Sequence, residues 1–584
     1  MSTISSRATR RRRLLTRSLP IALLGLAAFV AGLVWGAGQT ELDSAQRFAD
    51  AWESQNLSGM YAQISKPAAR QYSLQDFTAD YDKAEMIATV RRVDTGEVSE
   101  SDSSGEPAAT VPVTLHTNAF GTIARDLPLP LDGGRIDWAP NLVFPGLNPG
   151  ERLIRHTTLP RRAPILAKDG TPLAEGPATA RASPLGTAAA AVAGSVATPR
   201  KKQATELDRL GFPPGTPTGT SGLELAFNDR LAGRPGGQLV ALPAGDGNKP
   251  AAGGRTLATS EPTPGKPVHT TIDPDLQQAT VAALGNTYGG VVALDADDGS
   301  VQAVAGIAFS GPQPPGSTFK LITTTAALET GAVKVSDEFP IETSTTVDGR
   351  EIANAHDEAC GGTFTEAFAE SCNSVFAPLG PKVGSKPLVD MAESYGFNSP
   401  PSLYEERAIQ AAEVPDSTLP TTISSDLDLA VTAIGQGEVL ATPLEMASVA
   451  QAIGNGGVRE PTSLVTDRSL QAGAEPVRVT SSEIASTLRT LMVGVVTSGT
   501  GTAAALPGIE VAGKTGTAEL GPVTGHAATG SGEAQRLDAW FTAFAPATDP
   551  KLAVAAMVVN ASGDGGTVAA PIVRQVMASA FGVS

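Results

Sequence analysis

Histidine and cysteine are scarce in this 584-residue chain, and the scarcity narrows its chemistry. The five histidines are His116, His156, His269, His356 and His526, and no two stand at metal-ligand spacing. Cys360 and Cys372 are the only cysteines, and no Cys-x-x-Cys exists. A zinc site is therefore not expected, nor is any other metal or a cofactor. The shortage of histidine also argues against a Ser-His-Asp hydrolase. Positive charge is short as well: Lys plus Arg is 43 against 60 for Asp plus Glu, a net charge of −17. An acidic chain without a basic domain argues against nucleic acid as a partner.

The length allows two to four domains. Arginine gathers at the N-terminus, at Arg7, Arg10 to Arg13 and Arg17, and residues 19–38 then run apolar without a charge. Twenty residues at helical rise match the hydrocarbon thickness of a bilayer. The arginines predict a cytoplasmic tail over 1–18, one transmembrane helix over 19–38, and export of the rest to the outer face of the plasma membrane. The length of the run favours an uncleaved anchor over a cleaved signal peptide.

Residues 40–145 read as a small spacer domain. The spacing of Leu42, Phe48, Trp52 and Met60 predicts helix over 41–64, and 88–93 and 109–116 read as strands. Residues 150–265 are rich in Ala, Gly, Pro and Thr. Asp169-Gly170 between apolar runs predicts a hairpin, 222–231 a short helix, and 245–267 a loop or ribbon. This segment reads as an extended, non-catalytic pedestal. From 268 to 584 the composition becomes that of a compact domain. A helix is expected over 273–284, strands over 290–294 and 301–305, a mostly helical middle, strands over 510–520, 539–545 and 552–560, and a closing helix over 571–581. Strands at both ends with helices between predict an α+β domain, with one antiparallel sheet built from the two ends of the segment.

Within that domain Pro314-Pro315-Gly316 halts the chain, and 317–329 reads as a helix with Phe319, Ile322 and Ala326 on one face. Ser317 sits at its start and Lys320 one turn on, on the same side. A serine hydroxyl needs a base to become a nucleophile, and a desolvated neutral lysine can serve. Alone, the pair is an N-cap serine and a surface lysine. Two further clusters follow it: Ser371-Cys372-Asn373, then Lys514-Thr515-Gly516 with Thr517. Each is weak by itself; their order and settings make the set strong.

The set, with Thr271-Ile272-Asp273, Gly435-Gln436-Gly437, Thr442-Pro443-Leu444 and Ala539-Trp540-Phe541, resembles that of a class B penicillin-binding protein, a serine D,D-transpeptidase of peptidoglycan synthesis. Residues 150–265 resemble the family's dimerisation or pedestal domain, and 40–145 the nuclear-transport-factor-like domain of methicillin-resistance-type members. No stretch is left for a glycosyltransferase domain, so the resemblance implies a separate glycosyltransferase partner. It implies that Ser317 attacks the stem peptide, that Lys320 is the base, and that Ser371 relays a proton. It implies substrate contacts from Asn373, Lys514, Thr515 and Thr517, with Gly516 letting an edge strand approach the substrate. The backbone N–H groups of Ser317 and Thr517 would form the oxyanion hole, and β-lactams would acylate Ser317. In an exported protein a Cys360–Cys372 disulfide is reasonable, stapling the loop of the second cluster. A β-lactamase or D,D-carboxypeptidase on the same fold, and a non-catalytic β-lactam sensor or scaffold, are the alternatives. No base for a deacylating water is identifiable, and the long spacers favour a synthase working away from the membrane.

Overall fold

A computed structural model describes residues 41–103, 106–243, 254–519 and 537–583. The transmembrane expectation over 19–38 lies outside them. Among the described residues, no helix is long and apolar enough to cross a membrane. The chain forms two compact units.

The first unit holds α1 (Glu41–Glu53), α2 (Leu74–Ala88), β1 (Val90–Thr95), β2 (Ser99–Ser103), β3 (Glu106–Thr117) and β4 (Thr122–Asp132). The helix expected over 41–64 breaks after α1. Gln55 takes a left-handed φ of 56°, and the Asn56 side chain caps a separate turn, Leu57–Tyr61. A Ser73–Asp76 capping box starts α2. β3 is the hub of an antiparallel sheet, pairing β1, β2 and β4. Trp52, Phe77, Tyr81 and Trp138 close the core, with Phe77 and Trp138 ring centres 4.8 Å apart. A three-stranded sheet completes the unit: β5 (Glu151–Thr158), β6 (Gly236–Pro243) and β7 (Arg255–Ser260), with β6 in the middle. Leu153, Leu239 and Leu257 of these strands join the same core.

The pedestal segment is therefore not one body. Residues Thr198–Thr216, which carry α3 (Lys201–Leu210), and Ala232–Gly265 belong to the first unit, and Arg162–Ala197 and Pro217–Leu231 to the second. The hairpin at Asp169-Gly170 is present, pairing Ile165–Leu166 with Pro172–Ala174.

The second unit is α+β and centres on a five-stranded antiparallel sheet. Its strands are β8 (Gly289–Asp295), β9 (Val301–Gly306), β12 (Ala512–Glu519), β13 (Leu537–Ala545) and β14 (Leu552–Ala561), in the order β9-β8-β14-β13-β12. The sheet joins the two ends of the segment, as the sequence predicts. Alternation sorts its side chains. Val291, Ala293, Val554, Ala556 and Phe541 pack against α4 (Pro274–Leu284) and α9 (Ala570–Phe581). Val292, Leu294, Ala555, Met557 and Trp540 face the helices of the middle. Those helices include α5 (Lys320–Glu329), α6 (Phe364–Ala369), α7 (Pro443–Gly454) and α8 (Ser482–Thr497). Among the short strands between β9 and β12 are β10 (Glu338–Glu342) and β11 (Cys360–Thr363), which pair with each other. Both faces of the sheet are covered, so β13 and β14 read as nearly continuous apolar runs.

The sequence gives α5 a single apolar face, but Lys320 through Ala327 are all buried. Its threonines tolerate this because their hydroxyls bond to carbonyls: Thr324 to Lys320 O at 2.6 Å, Thr325 to Leu321 O at 2.7 Å, Thr323 to Ala433 O at 2.7 Å. A helix buried all round fixes its first residue, Lys320, in the interior.

Candidate active site

The helix expected from Ser317 begins as a 3₁₀ turn, Gly316–Phe319, and becomes α-helical at Lys320. Ser317 remains part-exposed while Thr318, Phe319 and Lys320 are buried. Glycines let this turn dock on the edge strand β12. Gly316 has a φ of 53°, and a Cβ there would stand 2.5 Å from the Thr517 carbonyl oxygen. A Cβ on Gly516 would stand 2.6 Å from the Pro315 carbonyl oxygen and 2.9 Å from Thr318 Cγ2. The bare α-carbon of Gly516 thus makes room for the turn that carries Ser317, a packing role beside the one the sequence suggests for it toward the substrate.

Lys320 is fully buried, and its Nζ donates to Ser371 O at 2.6 Å, Asn373 Oδ1 at 2.8 Å and Ser371 Oγ at 3.3 Å. Lys514 is fully buried too, and its Nζ donates to Ser371 Oγ at 2.8 Å and Thr515 O at 3.2 Å. The Ser371 hydroxyl therefore sits between the two amines. Phe376 lies 5.2 Å below one ammonium nitrogen and Phe368 5.7 Å below the other. No carboxylate pairs with either lysine among the described residues. Burial drives the Lys320 amine well below its ordinary value, with the positive charge of Lys514 adding to the effect. Burial alone pushes Lys514 down to about 7.

A neutral amine has two N–H donors and one lone pair. The two shortest bonds of Lys320, to Ser371 O and Asn373 Oδ1, use both donors and leave the lone pair to accept a proton. Ser371 itself is held at a left-handed φ of 62°. That conformation costs a non-glycine residue on the order of 1–3 kcal/mol and persists only where its surroundings enforce it. The Cys360–Cys372 disulfide is one such restraint, tying β11 to the residue between Ser371 and Asn373.

All three clusters meet, but the threonines differ. Thr515 is buried and its hydroxyl lies 2.6 Å from that of Thr500. Thr517 is part-exposed and its hydroxyl accepts from Gly565 N at 3.3 Å. Thr500 was not singled out in the sequence. Its only signal is the glycine–threonine alternation 499–502 after a long helix. Gln436 lies in a quoted motif without a role, and its Nε2 reaches Thr517 O at 3.5 Å. In the first unit, a cleft of about 750 Å³ between α2 and β5 is lined by Lys83, Met86, Arg152 and Arg155 among others, and contains none of these residues.

Three family models match the chain: "Penicillin binding protein transpeptidase domain" over 289–578, "Penicillin-binding Protein dimerisation domain" over 175–270, and "NTF2-like N-terminal transpeptidase domain" over 40–151. The peptidoglycan D,D-transpeptidase PbpA of Mycobacterium tuberculosis is 34% identical over 393 residues, covering 56% of this chain and 76% of that protein. The structure of penicillin-binding protein A from M. tuberculosis as a ceftriaxone acyl-enzyme superposes with a TM-score of 0.56 at 27% identity, over 72% of this chain and 98% of the other. The D,D-transpeptidase domain of a peptidoglycan glycosyltransferase from Eggerthella lenta does so at 0.56 and 27%, over 73% and 99%.

Proposed function

The chain belongs to the class B penicillin-binding proteins, and from that membership we propose that it is a peptidoglycan D,D-transpeptidase acting through an acylated Ser317. One observation carries the assignment of roles: the Ser371 hydroxyl bridges two buried lysines that have no counter-ion among the described residues, one of which begins the helix next to Ser317. Such amines are the kind that can lose a proton at neutral pH.

Ser317 Oγ attacks the carbonyl of the penultimate D-Ala of a stem peptide, and its proton passes to the lone pair of Lys320. The oxyanion takes hydrogen bonds from the backbone N–H groups of Ser317 and Thr517. As the C–N bond breaks, Ser371 passes a proton to the leaving D-Ala amine and is re-protonated from the lysines that flank it. The amine of a second strand then attacks the ester carbonyl. It forms the cross-linking amide, and the proton it sheds restores the Ser317 hydroxyl. Lys514, with Thr515 and Thr517, holds the terminal carboxylate. An anion there returns the Lys514 amine to its charged form. Asn373 keeps Lys320 aligned and offers its amide to the substrate backbone. A β-lactam follows the same route to an ester that leaves slowly.

We place its action at the outer face of the plasma membrane, with the apolar run 19–38 as its anchor and a separate glycosyltransferase supplying glycan strands. Labelling with a fluorescent penicillin tests the nucleophile: wild type is labelled covalently and Ser317→Ala is not. Equal labelling of both would remove Ser317 from the mechanism.

A further inference from the structure

Asn373 points its carbonyl oxygen at Lys320, and the residues that orient it lie outside all three clusters. A hairpin of Ser344–Val347 and Arg350–Ala353 ends at Asn354, which is 5% exposed. Every polar group of Asn354 is occupied. Its Nδ2 donates to Glu342 O at 2.7 Å and Glu358 O at 2.9 Å, its backbone N–H to Thr343 O at 2.8 Å, and its carbonyl accepts from Asp357 N at 3.2 Å. The remaining group, Oδ1, accepts from Ser374 N at 2.8 Å.

Ser374 is the second residue of the short helix Asn373–Phe376, whose N-cap is Cys372. An N-cap side chain ordinarily accepts from that N–H. Cys372 makes no such bond, and its sulfur is committed to Cys360. Asn354 therefore caps this helix from 20 residues upstream. The adjacent carbonyl, Ala353 O, accepts from Asn373 Nδ2 at 2.9 Å. With one N–H of Nδ2 bonded there, the Asn373 amide has its oxygen turned to Lys320 Nζ and its second N–H left for substrate. The pair Ala353-Asn354 thus fixes both the main chain and the side chain of Asn373.

We propose that Asn354 is a positioning residue for the base: it holds Asn373 so that both N–H groups of a neutral Lys320 are used and the lone pair faces the nucleophile. This deepens the transpeptidase reading and rests on it. Loosening Asn354 frees the 371–374 loop, admits water beside Lys320, and relieves the desolvation that keeps the amine neutral.

The test is the second-order rate of acylation of the full chain by a fluorescent penicillin, from about pH 5 to pH 9, for wild type and Asn354→Ala. The variant is expected to be acylated on the order of 10- to 100-fold more slowly, with the acid limb moved toward higher pH by roughly half a unit or more. Its thermal unfolding midpoint shows that it is folded. A rate within about twofold of wild type, or a slower rate with the acid limb unmoved, overturns the proposal. If Asn354→Ala does not accumulate folded, Asn354→Ser, which keeps a small polar group, is read against the same outcomes. Failure of wild type itself to be labelled would instead sink the transpeptidase reading, and this inference with it.

Discussion

In the second unit, one cluster of buried and half-buried arginines and one of buried lysines have opposite fates. Near the hairpin at Asp169-Gly170, Arg162 and Arg181 converge on Glu224, which is 1% exposed. Arg162 Nε donates to Glu224 Oε2 at 2.8 Å and Arg181 Nε to Oε1 at 2.7 Å. Arg181 also donates to the carbonyls of Gly176, Ala163 and Ala174. In the other cluster, Lys320 and Lys514 are fully buried and, among the described residues, meet only neutral oxygens and aromatic rings. Burial penalises charge in both places. Where a carboxylate offsets the penalty, the guanidinium stays charged and the group is architecture. Without one, burial pushes the amine toward its neutral form, which is what the proposed base requires. Residue type sharpens the contrast, since an arginine does not deprotonate in a protein while a buried lysine does.

The largest effect comes from removing the reagent. Lys320→Ala is expected to slow acylation by roughly 10²- to 10⁴-fold while the domain still melts cooperatively. A near-normal acylation rate would remove Lys320 as the base. A sharper experiment makes the lysine cluster resemble the arginine cluster. Asn373→Asp places a carboxylate where the amide oxygen now sits 2.8 Å from Lys320 Nζ. The amine should then hold its proton, and the acid limb of acylation should shift upward by more than about one pH unit. Asn373→Ala, which removes the amide without adding charge, is the control. If the limb lies at the same pH in both variants, an absent carboxylate is not what keeps Lys320 neutral.

The converse experiment breaks the arginine cluster. Glu224→Gln leaves Arg162 and Arg181 buried without a counter-ion, which typically costs about 3–5 kcal/mol. Denaturant unfolding should show the loss, while acylation per folded molecule stays within about twofold of wild type. An unchanged midpoint would mean that the surrounding carbonyls alone satisfy the two guanidinium groups.

The same contrast separates what was legible in the sequence from what was not. The lysines announced themselves because each stands at fixed spacing from a hydroxyl-bearing neighbour, Lys320 after Ser317 and Lys514 before Thr515. The sheet was legible because β8, β13 and β14 are apolar runs bounded by turn residues. Glu224, Arg162 and Arg181 looked like any surface charges, since their pairing spans 62 and 43 residues and leaves no local pattern. Nor did β5, β6 and β7 show themselves, because β6 pairs with β5 across about eighty residues of proline- and glycine-rich chain that reads locally as loop. Gly516 was noticed for its motif, but the close approach of Pro315 and Thr318 to it, from about two hundred residues away, is tertiary.

The smallest effect concerns Lys514 and is a matter of sign. Its amine titrates at about 7 in the folded chain, against roughly 10.4 when unfolded. Between those values the unfolded chain binds more protons, so stability rises with pH across that window and the burden of the buried charge is greatest at and below neutrality. Lys514→Met fills the same space without the charge. It should abolish covalent labelling or slow it greatly, yet melt higher than wild type near pH 6 by a few degrees. That advantage should shrink steadily toward about pH 10, where both chains carry no charge at this position. A melting difference that stays constant with pH would mean that Ser371 and Phe368 already sustain the full charge of Lys514, and that the carboxylate of a substrate has no proton equilibrium there to shift.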